Sequence, residues 1–395
     1  MLIKNGLIFI GHSFIRSDIQ FDSNITAIGN IVGSGDFDAK EHYIIPGLID
    51  IHTHGAVGED FFDGNTAGLL PMADYYAKHG VTSFLATTMT LKEEALLPAM
   101  KTIRDFKRSG GAKCAGIHLE GPFLSFKKRG AQAAENLHLP NIQLFHRLND
   151  ASGGQVRLVT VACEERGAMD FISQVSDSAT VSLGHTSCTY EQAMEAFAHG
   201  ASHATHLFNG MEGLHHRKPG IIAAAMDFGA SVELICDGIH IHPAVIRLVH
   251  KLYGDKLTLI SDSLHCAGMP DGEYELGGQP ITVRDGKATL SGSETIAGSS
   301  ISLLDAVRNV VSFGIPLEAA VYAASTAPAN AVRLHDVGSI QIGKRADLLV
   351  LDSSLNLKAV YIDGQLQLFD DLQKNTAKKS EGHGNGTNMK NWDLS

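Results

Sequence analysis

The sequence predicts a (β/α)8 barrel with a small β-sandwich domain beside it, and three observations lead to this fold class. Short apolar or β-branched runs alternate with helix-compatible stretches eight times between about residue 45 and residue 330. No GxGxxG segment follows the first of these runs, which disfavours a doubly wound nucleotide-binding sheet. Strand-like segments of a different character occur at both ends of the chain.

Each predicted barrel strand ends in polar or glycine residues. In chain order the runs are "GLIDIHTHG", "GVTSFLATTM", "KCAGIHLEG", "QVRLVTVACEE", "TVSLGHTS", "SHATHLFNG", "SVELICDGIHIH" and "KLTLISDS". The stretches between them, such as "LLPMADYYAKHG" and "TYEQAMEAFAHG", carry apolar residues at helical spacing and close with glycine or Asn/Asp signals. We therefore assign residues 44–335 to the barrel.

The two chain ends have the character of short strands separated by turns, as in "NGLIF" and "KAVYIDGQLQLF". We predict that residues 1–43 and 336–370 pair into the single small β-sandwich domain. Residues 371–395 are polar, rich in glycine and asparagine, and without apolar periodicity, so we interpret them as a C-terminal tail.

The composition excludes several classes of partner. A net charge of −11 disfavours nucleic acid or an anionic membrane surface as partner, and no apolar run is of transmembrane length. The five cysteines are scattered and form no CxxC pair, which is typical of a protein from a reducing cytoplasm. An anionic small-molecule substrate would need a positive site built locally.

Metal-binding residue types recur at the predicted strand ends. His52 and His54 are two residues apart on one strand, so both imidazoles face the same side. A lone HxH pair matches by chance too often to identify a metal site. Here, however, the carboxyl ends of the strands, which share one mouth in a barrel, carry a whole set of such residues. The set is His52, His54, Glu120, His185, His206, Asp237, His240 and Asp262.

Asp262, at the end of the eighth strand, is our candidate for the general acid/base of a hydrolase. The alternative is an ordinary helix-capping or turn aspartate. Glu164 and Glu165 end the fourth strand and could support the site from behind its ligands, although exposed carboxylates are commoner at such positions. The glycine-punctuated loop "HLFNGMEGLHHRKPG" offers Asn209, Gly210 and Arg217 as donors to a phosphate or carboxylate.

These residues resemble the amidohydrolase superfamily and, within it, the N-acetylglucosamine-6-phosphate deacetylase family. The matching stretches include "PGLIDIHTHG", "GIHLEGPF", "HATHLFNGM", "RKPG", "ICDGIHIH" and "GSIQIGKRADLLVLD". The resemblance implies that Glu120, His185 and His206 bind a principal metal, and that His52 and His54 bind a second with Glu120 bridging. It implies one or two divalent ions, Zn²⁺ or Fe²⁺ with Mn²⁺ or Co²⁺ as alternatives. Asp262 matches the general acid/base.

The same resemblance implies a phosphosugar substrate held by Asn209, Arg217 and His240, and usually a homodimer. The fourth strand end, "VTVACEE", has no lysine, the residue that bridges two metals in many related enzymes, so another carboxylate has to bridge. Glu120 suits that role. Two departures stand out: Gln132 occupies a position where many members carry a substrate-contacting histidine, and Cys163 replaces a proline.

The expected reaction is hydrolysis of N-acetyl-D-glucosamine 6-phosphate to D-glucosamine 6-phosphate and acetate. The nearest alternative is the same chemistry on the galactosamine isomer, which Gln132 leaves open. Another amidohydrolase, such as a cyclic-amide hydrolase, is disfavoured by the missing lysine. A non-enzymatic metal-binding scaffold would be expected to have lost Asp262.

Overall fold

The computed structural model describes residues 1–62, 64–108 and 110–367, so the predicted tail at 371–395 lies outside the described residues. The chain begins with strands in which buried aliphatic side chains recur among exposed polar ones, the pattern of a half-buried sheet. These strands are β1 (Leu2–Ile10), β2 (Ser13–Phe21), β3 (Ile25–Gly29), β4 (Phe37–Asp38) and β5 (Tyr43–Pro46).

Eight parallel strands then form the barrel, and each of the eight predicted runs contributes one of them. The first is β6 (Leu48–Thr53), followed by a short hairpin of β7 (Gly55–Ala56) and β8 (Glu59–Asp60). The others are β9 (Val81–Thr87), β10 (Lys113–Glu120), β11 (Val156–Val161), β12 (Thr180–Leu183), β13 (His203–Ala204), β14 (Ser231–Ile235) and β15 (Leu257–Ile260). They pair in chain order, and a bridge between Thr53 and Ser263 links the last to the first.

A helix follows each barrel strand and packs its apolar face on the sheet, which brings all strand ends to one mouth. These helices are α1 (Thr66–Lys78), α2 (Glu93–Asp105), α3 (Ile142–Ala151), α4 (Ala168–Val175), α5 (Tyr190–Ala198), α6 (Gly220–Phe228), α7 (Pro243–Tyr253) and α8 (Leu303–Ser312). Two more helices, α9 (Leu317–Ala324) and α10 (Thr326–Ala331), follow. Short 3-10 turns span Phe126–Lys128, Ala134–Asn136 and Gly254–Lys256.

A three-stranded antiparallel sheet lies between β15 and α8, and the sequence analysis did not predict it. Its strands are β16 (Gly272–Leu276), β17 (Gln279–Arg284) and β18 (Lys287–Leu290). The turns contain Gly277–Gly278 and Asp285–Gly286, all at positive φ. Such Gly-Gly and Asp-Gly pairs are strong hairpin signals, so the sequence did carry the information.

The chain ends with β19 (Leu348–Leu351), β20 (Leu357–Ile362) and β21 (Gln365–Leu366), which join the N-terminal strands in one sheet. Its order is β21-β20-β19-β5-β1-β2-β3, with β4 on β1. Ile8, Ile44 and Leu348 pack in its own apolar core. The predicted barrel with a β domain built from both chain ends is thus confirmed. Within the described residues, no helix has the length and apolar character needed to cross a membrane.

Candidate metal centre

Five predicted metal ligands meet at the carboxyl ends of the barrel strands, and each is at most 7% exposed. The Glu120 carboxylate lies at their centre. Its Oε1 atom is 3.0 Å from His206 Nε2, 3.3 Å from His185 Nε2 and 3.4 Å from His52 Nε2. Its Oε2 atom is 3.4 Å from His54 Nε2. The imidazoles come from three separate parts of the chain, so only the closed barrel brings them together.

The donor atoms of this cluster fit one or two divalent ions. The Nε2 atoms of His185 and His206 are 3.1 Å apart and face the same carboxylate oxygen, as two ligands of one ion would. The Nε2 atom of His52 is buried without a hydrogen-bond partner. Glu120 belongs to two groups of mutually close donors, one with His52 and His54 and the other with His185 and His206.

Three residues of the site have left-handed backbone conformations, which are uncommon for residues other than glycine. The φ angles are 45° at His185, 23° at His206 and 49° at Asp262. Each such residue costs about 1–3 kcal/mol of strain, which the surrounding structure has to offset. These backbone conformations turn the chain sharply where the strands end, and the side chains of the three residues thereby reach the mouth of the barrel.

The loop after β12 is fixed by contacts that the sequence analysis missed. His185 Nδ1 donates to the carbonyl of Lys128 at 2.8 Å, so in the neutral imidazole Nε2 carries the lone pair that a metal needs. Glu164 accepts a hydrogen bond from Ser187 N at 2.6 Å and others from the hydroxyls of Ser187 and Thr186. Glu164 is half-buried and its oxygens hold this loop, so it has the supporting role that was the less common of the two expected from the sequence.

Asp262 lies beside the cluster, with Oδ1 at 3.2 Å from His54 Nε2 and 3.4 Å from His52 Nε2. Burial by itself would raise the pKa of its carboxyl, but the neighbouring imidazoles, His52 foremost, hold this pKa below its ordinary value. The pKa of Glu120 is held well below its ordinary value for the same reason. Both carboxylates are therefore ionised at neutral pH, as a metal bridge and a general base require.

A cavity of about 320 Å³ opens onto the cluster, and its wall contains four of the five predicted substrate-binding residues. These four are Gln132, Asn209, Gly210 and His240. The Nδ2 atom of Asn209 is buried and makes no hydrogen bond, so it is an unused donor. The His240 ring is oriented by Asp237, whose Oδ2 atom is 2.6 Å from His240 Nδ1.

The Gln132 amide is already engaged within the protein. Its Nε2 atom donates to Glu120 Oε2 at 2.9 Å, and its oxygen accepts from Thr90 N at 2.7 Å. Because a carboxylate only accepts and a backbone N–H only donates, these partners fix the orientation of the amide. Gln132 therefore supports Glu120 in this structure, and its predicted contact with a substrate stays a prediction.

Arg217 is the predicted site residue that the structure does not bring to the cavity. It lies with Lys218 along a neighbouring groove, and its Nη1 atom is 2.6 Å from His216 Nε2. The loop turns back on itself through a bridge between His215 and Lys218, and Arg217 lies within that turn. Local sequence could not show the direction of this turn, and the role of Arg217 stays a prediction.

Part of the cavity wall comes from a segment that the sequence analysis did not consider. Residues 295–298, which follow the three-stranded sheet, line the mouth together with Leu276. The sheet and the barrel share an apolar cluster that includes Leu264, Leu276 and Ala297. This insertion therefore shapes part of the cavity wall.

A parallel barrel with imidazoles and carboxylates converging at its carboxyl-end mouth defines a metal-dependent enzyme class. The comparison with known families agrees, because residues 43–367 match the amidohydrolase family. The chain belongs to the amidohydrolase family.

The similar proteins of known activity narrow the class further. The N-acetylglucosamine-6-phosphate deacetylase of Vibrio furnissii is 36% identical over 87% of this chain and 89% of its own length. The N-acetylgalactosamine-6-phosphate deacetylase of Escherichia coli O157:H7 is 37% identical over 82% of this chain and 88% of its own. The solved structure of a variant of the Mycobacterium smegmatis N-acetyl-D-glucosamine-6-phosphate deacetylase, in complex with N-acetyl-D-glucosamine-6-phosphate, superposes on this chain with a TM-score of 0.86. It is 32% identical and covers 93% of this chain and 98% of that one.

Proposed function

We propose that this chain hydrolyses the acetamide of N-acetyl-D-glucosamine 6-phosphate, giving D-glucosamine 6-phosphate and acetate. The observation that carries the proposal is the buried cluster centred on Glu120, with the ionised Asp262 beside it and a cavity above. An amide bond is unreactive toward water at neutral pH, so its hydrolysis needs both an electrophilic centre and a base. This site offers metal ligands that can hold an electrophilic ion, and the Asp262 carboxylate as the base.

We assign Glu120, His185 and His206 to a principal ion and His52, His54 and Glu120 to a second, with Zn²⁺ or Fe²⁺ favoured by the imidazole-rich donor set. Mn²⁺ and Co²⁺ are alternatives. When bound, such an ion supplies a Lewis acid that polarises the acetyl carbonyl and makes water more acidic. The protein contributes by fixing the imidazoles, as the bond between His185 and the Lys128 carbonyl does.

Asp262 carries the proton through the reaction. Its carboxylate accepts a proton from the attacking water as the water oxygen bonds to the acetyl carbon. It then donates that proton to the sugar nitrogen as the carbon–nitrogen bond breaks. The other proton of the water stays on the new carboxylic acid, so acetic acid and the amine leave, and transfer of that proton to the amine gives acetate and the ammonium form. The Asp262 carboxylate returns to its ionised state. The position of Asp262 over the His52 and His54 imidazoles suits both transfers.

The cavity wall supplies the groups that hold the sugar phosphate. Asn209 has a free amide donor, Gly210 can present its backbone, and the His240 ring is held in place by Asp237. Gln132 keeps a place in the substrate-binding set because it lines the same wall. Arg217 remains in the proposed set through the family resemblance alone.

The galactosamine isomer is the second candidate substrate. It is favoured by the Escherichia coli relative, which matches this chain as well as the glucosamine-type relative does. Purified protein loaded with Zn²⁺ or Fe²⁺ would be assayed for acetate release from both N-acetylhexosamine 6-phosphates. We expect kcat/KM to be at least about 10-fold higher for the gluco isomer, and release to stop after chelation. Acetate from neither sugar would refute the proposal, and a preference for the galacto isomer would establish the alternative.

Replacing Asn209 by alanine should weaken substrate binding more than it slows turnover. A hydrogen bond to a charged group contributes about 1.5–3 kcal/mol, so KM for the phosphorylated sugar should rise about 10-fold or more. The kcat value should change less than about 3-fold. Non-phosphorylated N-acetylglucosamine is the control, because its weak turnover should be unaffected if Asn209 holds the phosphate. The same assay on Arg217→Ala decides whether that side chain contributes to binding.

We further propose a homodimer, as the resemblance implies, and a cytoplasmic location, to which five free cysteines are suited. Light scattering on the purified protein measures its mass in solution and so tests the homodimer. Fractionation of the source cells, followed by activity measurement in each fraction, tests the location.

A further inference from the structure

Glu233 is a charged residue in the barrel wall, in contact with the metal centre. Glu233 is the third residue of β14, in an otherwise largely apolar strand, "SVELI", and it is fully buried. An ionised carboxylate in such a place is strongly destabilising unless polar groups surround it. A glutamate within an apolar barrel strand signals that some partner has to exist.

The partners of Glu233 are two members of the metal centre. Its Oε2 atom lies 2.8 Å from Nδ1 of His52 and accepts a hydrogen bond from the backbone N–H of His206 at 3.1 Å. One oxygen thus contacts a ligand of each proposed ion. Because the carboxylate only accepts, His52 Nδ1 has to carry the hydrogen, and in the neutral imidazole that binds a metal Nε2 is then left with the lone pair. That Nε2 atom lies 3.4 Å from Glu120 Oε1.

The other contacts of Glu233 are looser. Its Oε1 atom has no hydrogen-bond partner, and His203 Nδ1 lies 3.9 Å from it. His52, His118 and Glu233 are also close enough for their donor atoms to share an ion. Holding ions through both nitrogens would require His52 to lose both ring protons, which a neutral imidazole ligand does not do. The hydrogen-bonded arrangement is therefore the better use of this carboxylate.

We propose that Glu233 is a positioning residue for the second metal ion, which it stabilises by fixing the tautomer and orientation of His52. The inference deepens the proposed function and rests on its metal centre. A carboxylate behind a ligating histidine also makes that imidazole a stronger donor. The ion held by His52 and His54 should depend on Glu233 more than the ion held by His185 does.

The test substitutes Glu233→Gln and measures Zn²⁺ affinity by competition with a chromogenic chelator. The amide oxygen can take the place of Oε2 and accept from both His52 and His206, so the shape is kept while the charge is removed. We expect a 10–100-fold loss of affinity for the second ion, held by His52 and His54. The affinity for the principal ion should change by less than about 3-fold. Binding is measured without substrate, so the result does not depend on whether the deacetylase assignment is right.

Thr258→Val is the matched control. Thr258 faces Glu233 directly across the strand pair, is fully buried, and has a hydroxyl without a hydrogen-bond partner. Its replacement should leave both affinities and the thermal midpoint of the metal-free protein nearly unchanged. If Glu233 were merely structural, Glu233→Gln would instead lower the midpoint and weaken both ions equally.

A His54→Gln background separates the two ions. With the second ion's ligand set already broken, adding Glu233→Gln should weaken the remaining ion by less than about 3-fold. An unchanged affinity in Glu233→Gln alone, equal losses at both ions, or a wild-type protein that binds no ion through His52 and His54 would each overturn the inference. So would a third tightly bound ion that disappears with Glu233.

Discussion

Asp262→Asn should abolish most of the turnover while leaving the substrate affinity and the fold intact. We expect kcat to fall about 10³-fold, within the range that a positioned general acid/base contributes. The asparagine amide has nearly the same shape but cannot take the proton of the attacking water. It is also the best-tolerated replacement for this backbone, because asparagine adopts the left-handed conformation that Asp262 has at φ 49° more readily than most residues.

The measurement is acetate release under saturating metal, with the bound metal determined by elemental analysis of the same samples. Saturation matters because Asp262 lies within 3.4 Å of His52 Nε2 and 3.2 Å of His54 Nε2, so the substitution can also weaken an ion. A loss of activity that added metal restores would assign Asp262 to metal binding. A kcat within about 10-fold of the original would remove it from the chemistry.

Sequence periodicity predicted the barrel because each strand is a short apolar run that ends at its own polar residues. The metal centre was predictable for the same reason. His52, Glu120, His185 and Asp262 stand at the ends of such runs, and the fold gathers all strand ends at one mouth. No distance between these residues had to be known in advance. The eightfold alternation of strands and helices was enough to predict that these residues lie at one mouth.

The supporting contacts were not predictable in this way. His52 and Glu233 are 181 positions apart, and their contact depends on which strands lie opposite each other in the closed barrel. Glu164 follows a strand as an exposed residue would, and only the path of the loop after β12 turns its oxygens toward Ser187. Arg217 does not line the cavity that its loop helps to form, and the turn between His215 and Lys218 that sets its position could not be inferred from the sequence.

Glu120→Gln should remove both ions, because its carboxylate is the one group common to the two donor sets. Gln132 Nε2 donates to Oε2, so the new amide has to place its oxygen there and its NH₂ group in the position of Oε1. At that position it faces the Nε2 atoms of His185 and His206, whose lone pairs would otherwise be available to an ion. We therefore expect metal affinity to fall by more than the roughly 10–100-fold that a supporting residue costs.

The comparison with His54→Gln gives this prediction its sharpest form. His54 contacts only one of the two donor sets, so its replacement should leave the ion of His185 and His206 in place, and elemental analysis should find one ion fewer than in the wild type. Glu120→Gln should instead leave no tightly bound ion and no measurable acetate release, with the fold checked by circular dichroism. If Glu120→Gln kept the wild-type number of ions, the carboxylate would not be the bridge, and the ions would have to be held by imidazoles and Asp262 alone.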